Sequence, residues 1–210
     1  MKSSLFRSLF TVSGFTLLSR IMGLLRDIVF ASYFGAGAAM DAFSVAFRIP
    51  NLFRRFFGEG AFNQAFVPVF SEIRLERSRD ELKRFLAEIS GTLGLVLLLI
   101  TVVGVTFSSE MVLLFAAGFV DDTGKFLLTE ELLQLMLPYL FFICMTAMYS
   151  SVMNALNKFA IPAAVPILLN LFLIAGAVIS VYLEEPIKAL RYAVFFAGIC
   201  QMMILFWAVK

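Results

Sequence analysis

The sequence predicts an all-α polytopic membrane protein with six transmembrane helices. Three observations carry that prediction. Of the 210 residues, 61% are hydrophobic and 15% charged, whereas soluble domains hold roughly 45–50% apolar and about 25% charged residues. Four uncharged apolar runs, 89–109, 132–157, 159–183 and 192–209, each approach or exceed spanning length, which is about 20 residues. Two earlier apolar segments are of similar length but carry charges, and they complete the six. The helices are expected at 8–34, 40–70, 87–117, 130–156, 160–183 and 190–210.

The first helix starts in MKSSLFRSLFTVSGFTLLSR, where Lys2 and Arg7 precede apolar residues as in a signal peptide. No small-x-small cleavage site follows, and Arg20 interrupts the apolar core, so the segment reads as a retained span. In the turn FGAGAAMDAF, Gly35 and Gly37 allow the chain to reverse. Asp41 then stands where an N-cap carboxylate is favourable, and capping and a functional role are equally open for it. The stretch SEIRLERSRDELKRFLAEIS reads as a helix in which Asp80 and Arg84, and Glu76 and Arg79, are spaced to pair. A solvated helix end that fixes topology is the stronger reading of this basic stretch, and binding of anionic lipid headgroups the weaker one. Gly91 and Gly94 in the third helix would permit close helix contact. Pro50 falls in the second helix, Pro138 in the fourth, and Pro162 and Pro166 at the start of the fifth. A proline within a span bends it and frees a carbonyl, which protein or water must satisfy.

The loops orient the chain. Arg74, Arg77, Arg79, Lys83 and Arg84 lie between the second and third helices, Lys2 and Arg7 precede the first, and Lys158 separates the fourth and fifth. The alternate loops FGAGAAMD, GFVDDTGKFLLTEE and YLEEPIKALR carry no such excess of bases. This bias places the N-terminus and, after six spans, the C-terminus in the cytoplasm.

Several function classes are excluded. The chain has no His, which removes His-based acid–base chemistry, His metal sites and Ser–His–Asp triads. Phosphate-binding glycine loops, HExxH and GxSxG are absent. Cys144 and Cys200 lie in separate apolar runs without CxxC spacing and read as buried free thiols. No catalytic residue, metal or cofactor is expected, and the chain reads as a non-enzyme.

The two charged segments carry the functional signal. The first holds Arg20, Arg26 and Asp27, and the second Asp41, Arg48, Arg54, Arg55 and Glu59. A charge at the centre of a span costs on the order of 3 kcal/mol on insertion scales. Such charges persist only where they face water or each other. Ser13, Arg20 and Asp27 are spaced by sevens and share a helix stripe, with Arg26 about 100° away. Asp41 and Arg48 are likewise seven apart, whereas Pro50 leaves the faces of Arg54 and Arg55 open. Asn51, Asn63 and Gln64 either face a cavity or pack between helices. Two readings stand for the charges. They form structural pairs, Arg20 with Asp27, Arg48 with Asp41 and Arg55 with Glu59. Alternatively, the excess of five arginines over three acids lines a wet cavity for an anionic ligand, since guanidinium suits bidentate capture of phosphate or carboxylate.

The motifs SRIMGLLRD, FGAGAAMDAFSVAFRIPNLFRRFFGEGAFNQAFVPVF and NALNKFAIPAAVPILLN resemble the MurJ/MviN family of lipid II flippases, members of the multidrug/oligosaccharidyl-lipid/polysaccharide exporter superfamily. The joint pattern SR-x-x-G-x-x-RD, FGAG-x-x-x-DAF, PNLFRR and EGAF carries the match, and the likeness runs along the whole chain. It implies a transporter of the bacterial inner membrane, made of two six-helix lobes and a C-terminal helix pair. Such a transporter flips undecaprenyl-pyrophosphate-linked peptidoglycan precursor during cell-wall biogenesis. The implied partners are this anionic lipid and membrane lipids, with no nucleic acid. By the same resemblance, Arg20, Arg26, Asp41 and Arg54 match charged positions important for transport. Arg26 and Arg54 reach into the cavity, and Asp27 and Arg20 support it or line its entrance. Arg48, Asn51, Arg55 and Glu59 are secondary candidates. The chain departs from the family in length: residues 1–210 supply one lobe, so the chain is expected to be a fragment or to pair with a second lobe. An exporter of another prenyl-linked glycan or a drug, and a non-transporting scaffold with structural ion pairs, are the alternatives.

Overall fold

The structure is a computed structural model that describes residues 2–55 and 61–209, and every regular element among them is a helix. α1 (Lys2–Tyr33) spans 32 residues, about 48 Å at 1.5 Å per residue. The chain reverses at Gly35, whose φ of +61° suits a residue without Cβ. Gly37, in extended conformation, then caps α2 (Ala38–Arg54). The N-cap is therefore Gly37 and not Asp41, which lies within the first turn. The residues expected as one helix over 40–70 are described as α2, ending at Arg54, and α3 (Ala61–Glu76). Glu59 lies outside the described residues.

The basic stretch after α3 is interrupted at Ser78, where α4 (Arg79–Thr106) begins with a capping box. The Ser78 hydroxyl accepts from the Glu81 amide at 3.3 Å, and the Glu81 carboxylate accepts from the Ser78 amide at 3.0 Å. That break changes the pairing. Arg77 meets Glu81 at 3.6 Å and Arg84 meets Glu88 at 2.9 Å, in place of the expected Glu76–Arg79 and Asp80–Arg84 pairs. α4 stops at Phe107, and the short α5 (Ser108–Phe115) follows, so the third span expected over 87–117 is also interrupted.

α6 (Thr123–Met136) starts on Asp122, whose carboxylate accepts from the Lys125 amide at 3.0 Å. Pro138 has no N–H to continue that helix. The chain bends by 42° and proceeds as α7 (Pro138–Ala155), with the proline in the first turn where its missing donor is harmless. α7 ends in a Schellman arrangement. Asn157 takes φ of 59°, its amide donates to Asn154 O at 2.9 Å, and the Lys158 amide donates to Met153 O at 2.9 Å. α8 (Ala160–Ile179) and α9 (Lys188–Val209) complete the fold. Among the described residues, α4, α8 and α9 are long and apolar enough to cross a membrane, and α6 with α7 adds a fourth span if the bent pair counts as one. Leu95, Val96, Leu98, Leu99, Val102 and Val103 leave much of the α4 circumference exposed and apolar, a surface suited to lipid.

α7 and α9 form the centre. α9 packs on α6, α7 and α8, while α7 also receives α2, α3 and α4. Leu132, Leu133, Met136 and Leu140 are fully buried there. Lipid tails are as apolar as these side chains, so association rests on close fit and favours small residues at contacts. A Cβ on Gly198 would stand 2.6 Å from the Tyr139 ring, and one on Gly176 would stand 2.8 Å from Ala193 Cβ. Among the described residues, the close-approach glycines are these two. Gly91 faces open space, and a Cβ on Gly94 would meet Phe141 only at an ordinary 3.7 Å. Of the two cysteines, both free, Cys144 is buried and Cys200 partly buried. Gly198→Ala is expected to destabilise the fold by about 1–3 kcal/mol through overpacking. Gly91→Ala is expected to be neutral or to stabilise by up to about 1 kcal/mol through helix propensity. Thermal unfolding of both variants in detergent checks the contrast.

Candidate functional site: a polar cavity between diverging helices

α1 and α2 meet at their shared turn and then part. At the turn, Phe30 packs edge-on against Phe34 and Phe43, with centroids 5.9 and 5.8 Å apart. Beyond it α1 follows α8, whereas α2 follows α6 and α7. The space between holds a cavity of about 730 Å³. Val12 and Thr16 of α1, and Asn51 and Arg54 of α2, line one side. α7 contributes Tyr139, Thr146, Ser150 and Asn154, α8 contributes Pro162, Pro166 and Leu169, and α9 contributes Gln201.

The α7 residues follow helix geometry. Tyr139, Ile143, Thr146, Ser150 and Asn154 succeed one another at steps of three or four, which stacks them on one face. An uncharged run thus conceals a polar stripe. Thr146 donates to Phe142 O at 2.7 Å and Ser151 to Ala147 O at 2.8 Å, so both hydroxyls are satisfied within their own helix. Asn51 likewise donates to Phe47 O at 2.9 Å, leaving its side-chain carbonyl for the cavity.

The charged positions separate into three places. Arg54 lines the cavity and is half-buried, while its neighbour Arg55 is exposed and outside the lining. Arg26 lies ten residues beyond Thr16, about 15 Å further along α1, and is absent from the lining of this cavity. Its guanidinium donates to Asp27 Oδ1 at 2.7 Å and to Asn170 Oδ1 on α8 at 3.1 Å, and it sits 5.9 Å from the centroid of the Phe30 ring. Asp41 occupies the third place, near the turn, where it accepts from Lys125 Nζ of α6 at 2.6 Å. Lys125 also stands 4.1 Å from the centroid of the Phe119 ring. Arg20, Arg48 and Gln64 are exposed, and the Ser13–Arg20–Asp27 stripe lies on the exposed face of α1. The Asn63 side chain lies outside the described residues.

The ion pairs differ from those that spacing suggested. Asp27 pairs with adjacent Arg26 and not with Arg20, and Asp41 pairs with distant Lys125 and not with Arg48. Arg26 is turned toward α8 because α1 packs there, and Asn170 is placed to receive it. Asn170 is itself fixed by donating to Ser19 O at 3.3 Å. Sequence reading missed Asn170, Lys125, Gln201 and the α7 stripe. It also missed Glu131 on α6, which binds Lys188 at 2.7 Å and Arg191 at 2.6 Å on α9. A lone polar residue inside the apolar run PILLNLFLI was the available signal for Asn170. Among the described residues, no cluster of His, Cys, Asp or Glu could hold a metal.

A second pocket of about 400 Å³ is lined almost wholly by apolar groups, among them Phe15, Ile161, Ala164, Leu168 and Ile204. At 100° per residue Ile161, Ala164 and Leu168 lie on the side of α8 away from Pro162, Pro166 and Leu169, and Val165, between the two sides, lines both pockets. α8 therefore has a polar cavity on one side and an apolar pocket on the other.

Comparison with known proteins bears on this arrangement. The family model described as "Lipid II flippase MurJ" matches residues 30–210. A lipid II flippase MurJ of Burkholderia cenocepacia is 43% identical over 202 residues, covering 96% of this chain and 39% of that protein. A probable lipid II flippase MurJ of Vibrio cholerae is 41% identical over 207 residues, covering 95% of this chain and 39% of the relative. A solved structure, "Lipid II flippase MurJ, inward closed conformation", aligns with a TM-score of 0.82 at 31% identity, covering 94% of this chain and 41% of the other. The chain spans about two-fifths of the length of these relatives. On the extent of the family match and the identity to its members, the chain belongs to the lipid II flippase MurJ family.

Proposed function

We propose that this chain is one lobe of a lipid II flippase of the bacterial inner membrane and supplies part of its cationic substrate cavity. The observation that carries this reading is Arg54, half-buried on the wall of a polar cavity of about 730 Å³, in a chain 43% identical to a named flippase. Six spans follow from grouping the helices as α1, α2 with α3, α4 with α5, α6 with α7, α8, and α9. The basic residues flanking Ser78, with Lys2 and Arg7 at the start of α1, put the N-terminus in the cytoplasm. The substrate is undecaprenyl-pyrophosphate-linked peptidoglycan precursor.

Transport breaks no bond. Its barrier is the transfer of a pyrophosphate through a low-dielectric layer. Arg54 offsets that charge with a planar donor fork. Arg26, held between Asp27 and Asn170, provides a second guanidinium deeper along α1, with Arg20 nearer the opening. The prenyl tail stays in lipid, and the apolar pocket on the other side of α8 offers it a hydrocarbon surface beside the headgroup. Alternating access needs a second lobe to rock against this one. That lobe comes from the part of the relatives that this chain does not match, or from a paired chain.

Replacing the matching segment of the Burkholderia cenocepacia relative with these residues gives a chimera for complementation of flippase-depleted cells. Arg54→Ala is expected to abolish growth at normal expression. The loss of one charge-assisted contact corresponds to about 10- to 100-fold weaker headgroup binding, and undiminished growth would remove Arg54 from the site. Asn170→Leu is expected to release Arg26 and slow transport severalfold, whereas Asn170→Gln restores part of it; equal activity of the three proteins would separate Asn170 from Arg26.

The ion pairs at the turn end favour a second reading, a non-transporting scaffold. Asp41–Lys125 and Glu131–Lys188–Arg191 tie α2 to α6 and α6 to α9. A double-mutant cycle on Asp41 and Lys125 tests it by unfolding and by complementation. The flippase reading expects coupling of about 0.5–3 kcal/mol in stability together with lost transport in each single variant. Coupling in stability with transport intact favours the scaffold.

A further inference from the structure

Two polar atoms on the cavity wall have no partner among the described residues: the Tyr139 hydroxyl and the Gln201 side-chain oxygen. Both residues line the cavity with Arg54, and both are almost completely buried, at 0% and 1% exposure. Buried polar groups are paired in the great majority of native structures, so an orphan beside a ligand cavity marks a group waiting for a ligand or water.

The chemistry of Gln201 narrows the ligand. Its amide nitrogen donates to Val165 O at 3.0 Å. Flipping the amide would set two acceptors against each other, so the orientation is forced and the side-chain oxygen is left as a pure acceptor. Pro166, inside α8, withholds the N–H that would engage the Pro162 carbonyl, and both prolines also line the cavity. At the Gln201 oxygen and the Pro162 carbonyl the wall calls for donors. A pyrophosphate diester at neutral pH has none. Sugar hydroxyls and amide N–H groups do. Tyr139, able to donate and accept, lines the same cavity as Arg54 and Gln201.

We propose that the cavity is divided: Arg54 takes the pyrophosphate, while Gln201, the Pro162 carbonyl and Tyr139 recognise the neutral glycan or peptide part of the same headgroup. This division rests on the flippase reading above and adds to it a specificity surface made of uncharged groups. It makes Gln201 and Tyr139 determinants of which prenyl-linked lipid enters.

The test compares two synthetic ligands with this protein in lipid nanodiscs, undecaprenyl pyrophosphate and the same lipid bearing a disaccharide-pentapeptide. The unmutated protein is expected to bind the glycan-bearing lipid more tightly. Tyr139→Phe, which removes only the oxygen, and Gln201→Met, which keeps the volume, should each weaken the glycan-bearing lipid about fivefold and leave the bare lipid within about twofold. Arg54→Ala should weaken both. Equal affinity of the unmutated protein for the two lipids overturns the proposal. So does an unchanged or uniformly reduced affinity in the Tyr139→Phe variant, whose packing is preserved. An Arg54→Ala protein that binds both lipids normally instead defeats the pyrophosphate assignment and leaves the glycan preference to be read from the other variants.

Discussion

The packing of α1 along α8 is the contact on which the site depends. Two consecutive helices joined by a tight turn ordinarily pack as a pair. Here the Phe30–Phe34–Phe43 cluster joins them at the turn only, and α1 is drawn away to α8. Asn170 of α8 fastens the contact by donating to the α1 backbone at Ser19 O. The gap between the two helices becomes the cavity, with α7 as its back wall.

Charge in such a protein is organised by the cost of leaving it unpartnered in a low dielectric. Near the turn the acids and bases are brought together across elements, Asp41 with Lys125 and Glu131 with Lys188 and Arg191. At the other end Arg54 stands at a large polar cavity. One end of the bundle is therefore tied by ion pairs that link α2 to α6 and α6 to α9, and the other holds the space. On the flippase reading proposed above, this asymmetry suits a lobe that opens on one side while remaining joined on the other.

The wall facing Arg54 is polar but uncharged. Thr146 and Ser151 satisfy their hydroxyls on their own helix, the usual way for such residues to sit in an apolar helix. Tyr139 and Gln201 retain an unpaired atom each. A headgroup containing both phosphate and sugar would meet two kinds of surface there, one offering a charged donor fork and one offering acceptors.

Much of this was legible in the chain alone. Composition and uncharged runs identify a helical membrane protein, because the bilayer admits few alternatives for the backbone. The charged opening segments point to a polar site, because charges in apolar helices are expensive. Turn and cap chemistry was only partly legible: Gly35 and Pro138 marked real breaks, whereas the Ser78 capping box and the Gly37 cap were passed over. Helix spacing paired Arg20 with Asp27 and Arg48 with Asp41, since periodicity reports only neighbours on one helix. Tertiary packing decided instead that Asp41 meets Lys125, that Arg26 meets Asn170, and that Arg54 rather than Arg55 reaches the cavity. Which residues lie along a helix is a local property of the chain; which helix each face meets is set by the fit of small and large side chains between elements distant in sequence.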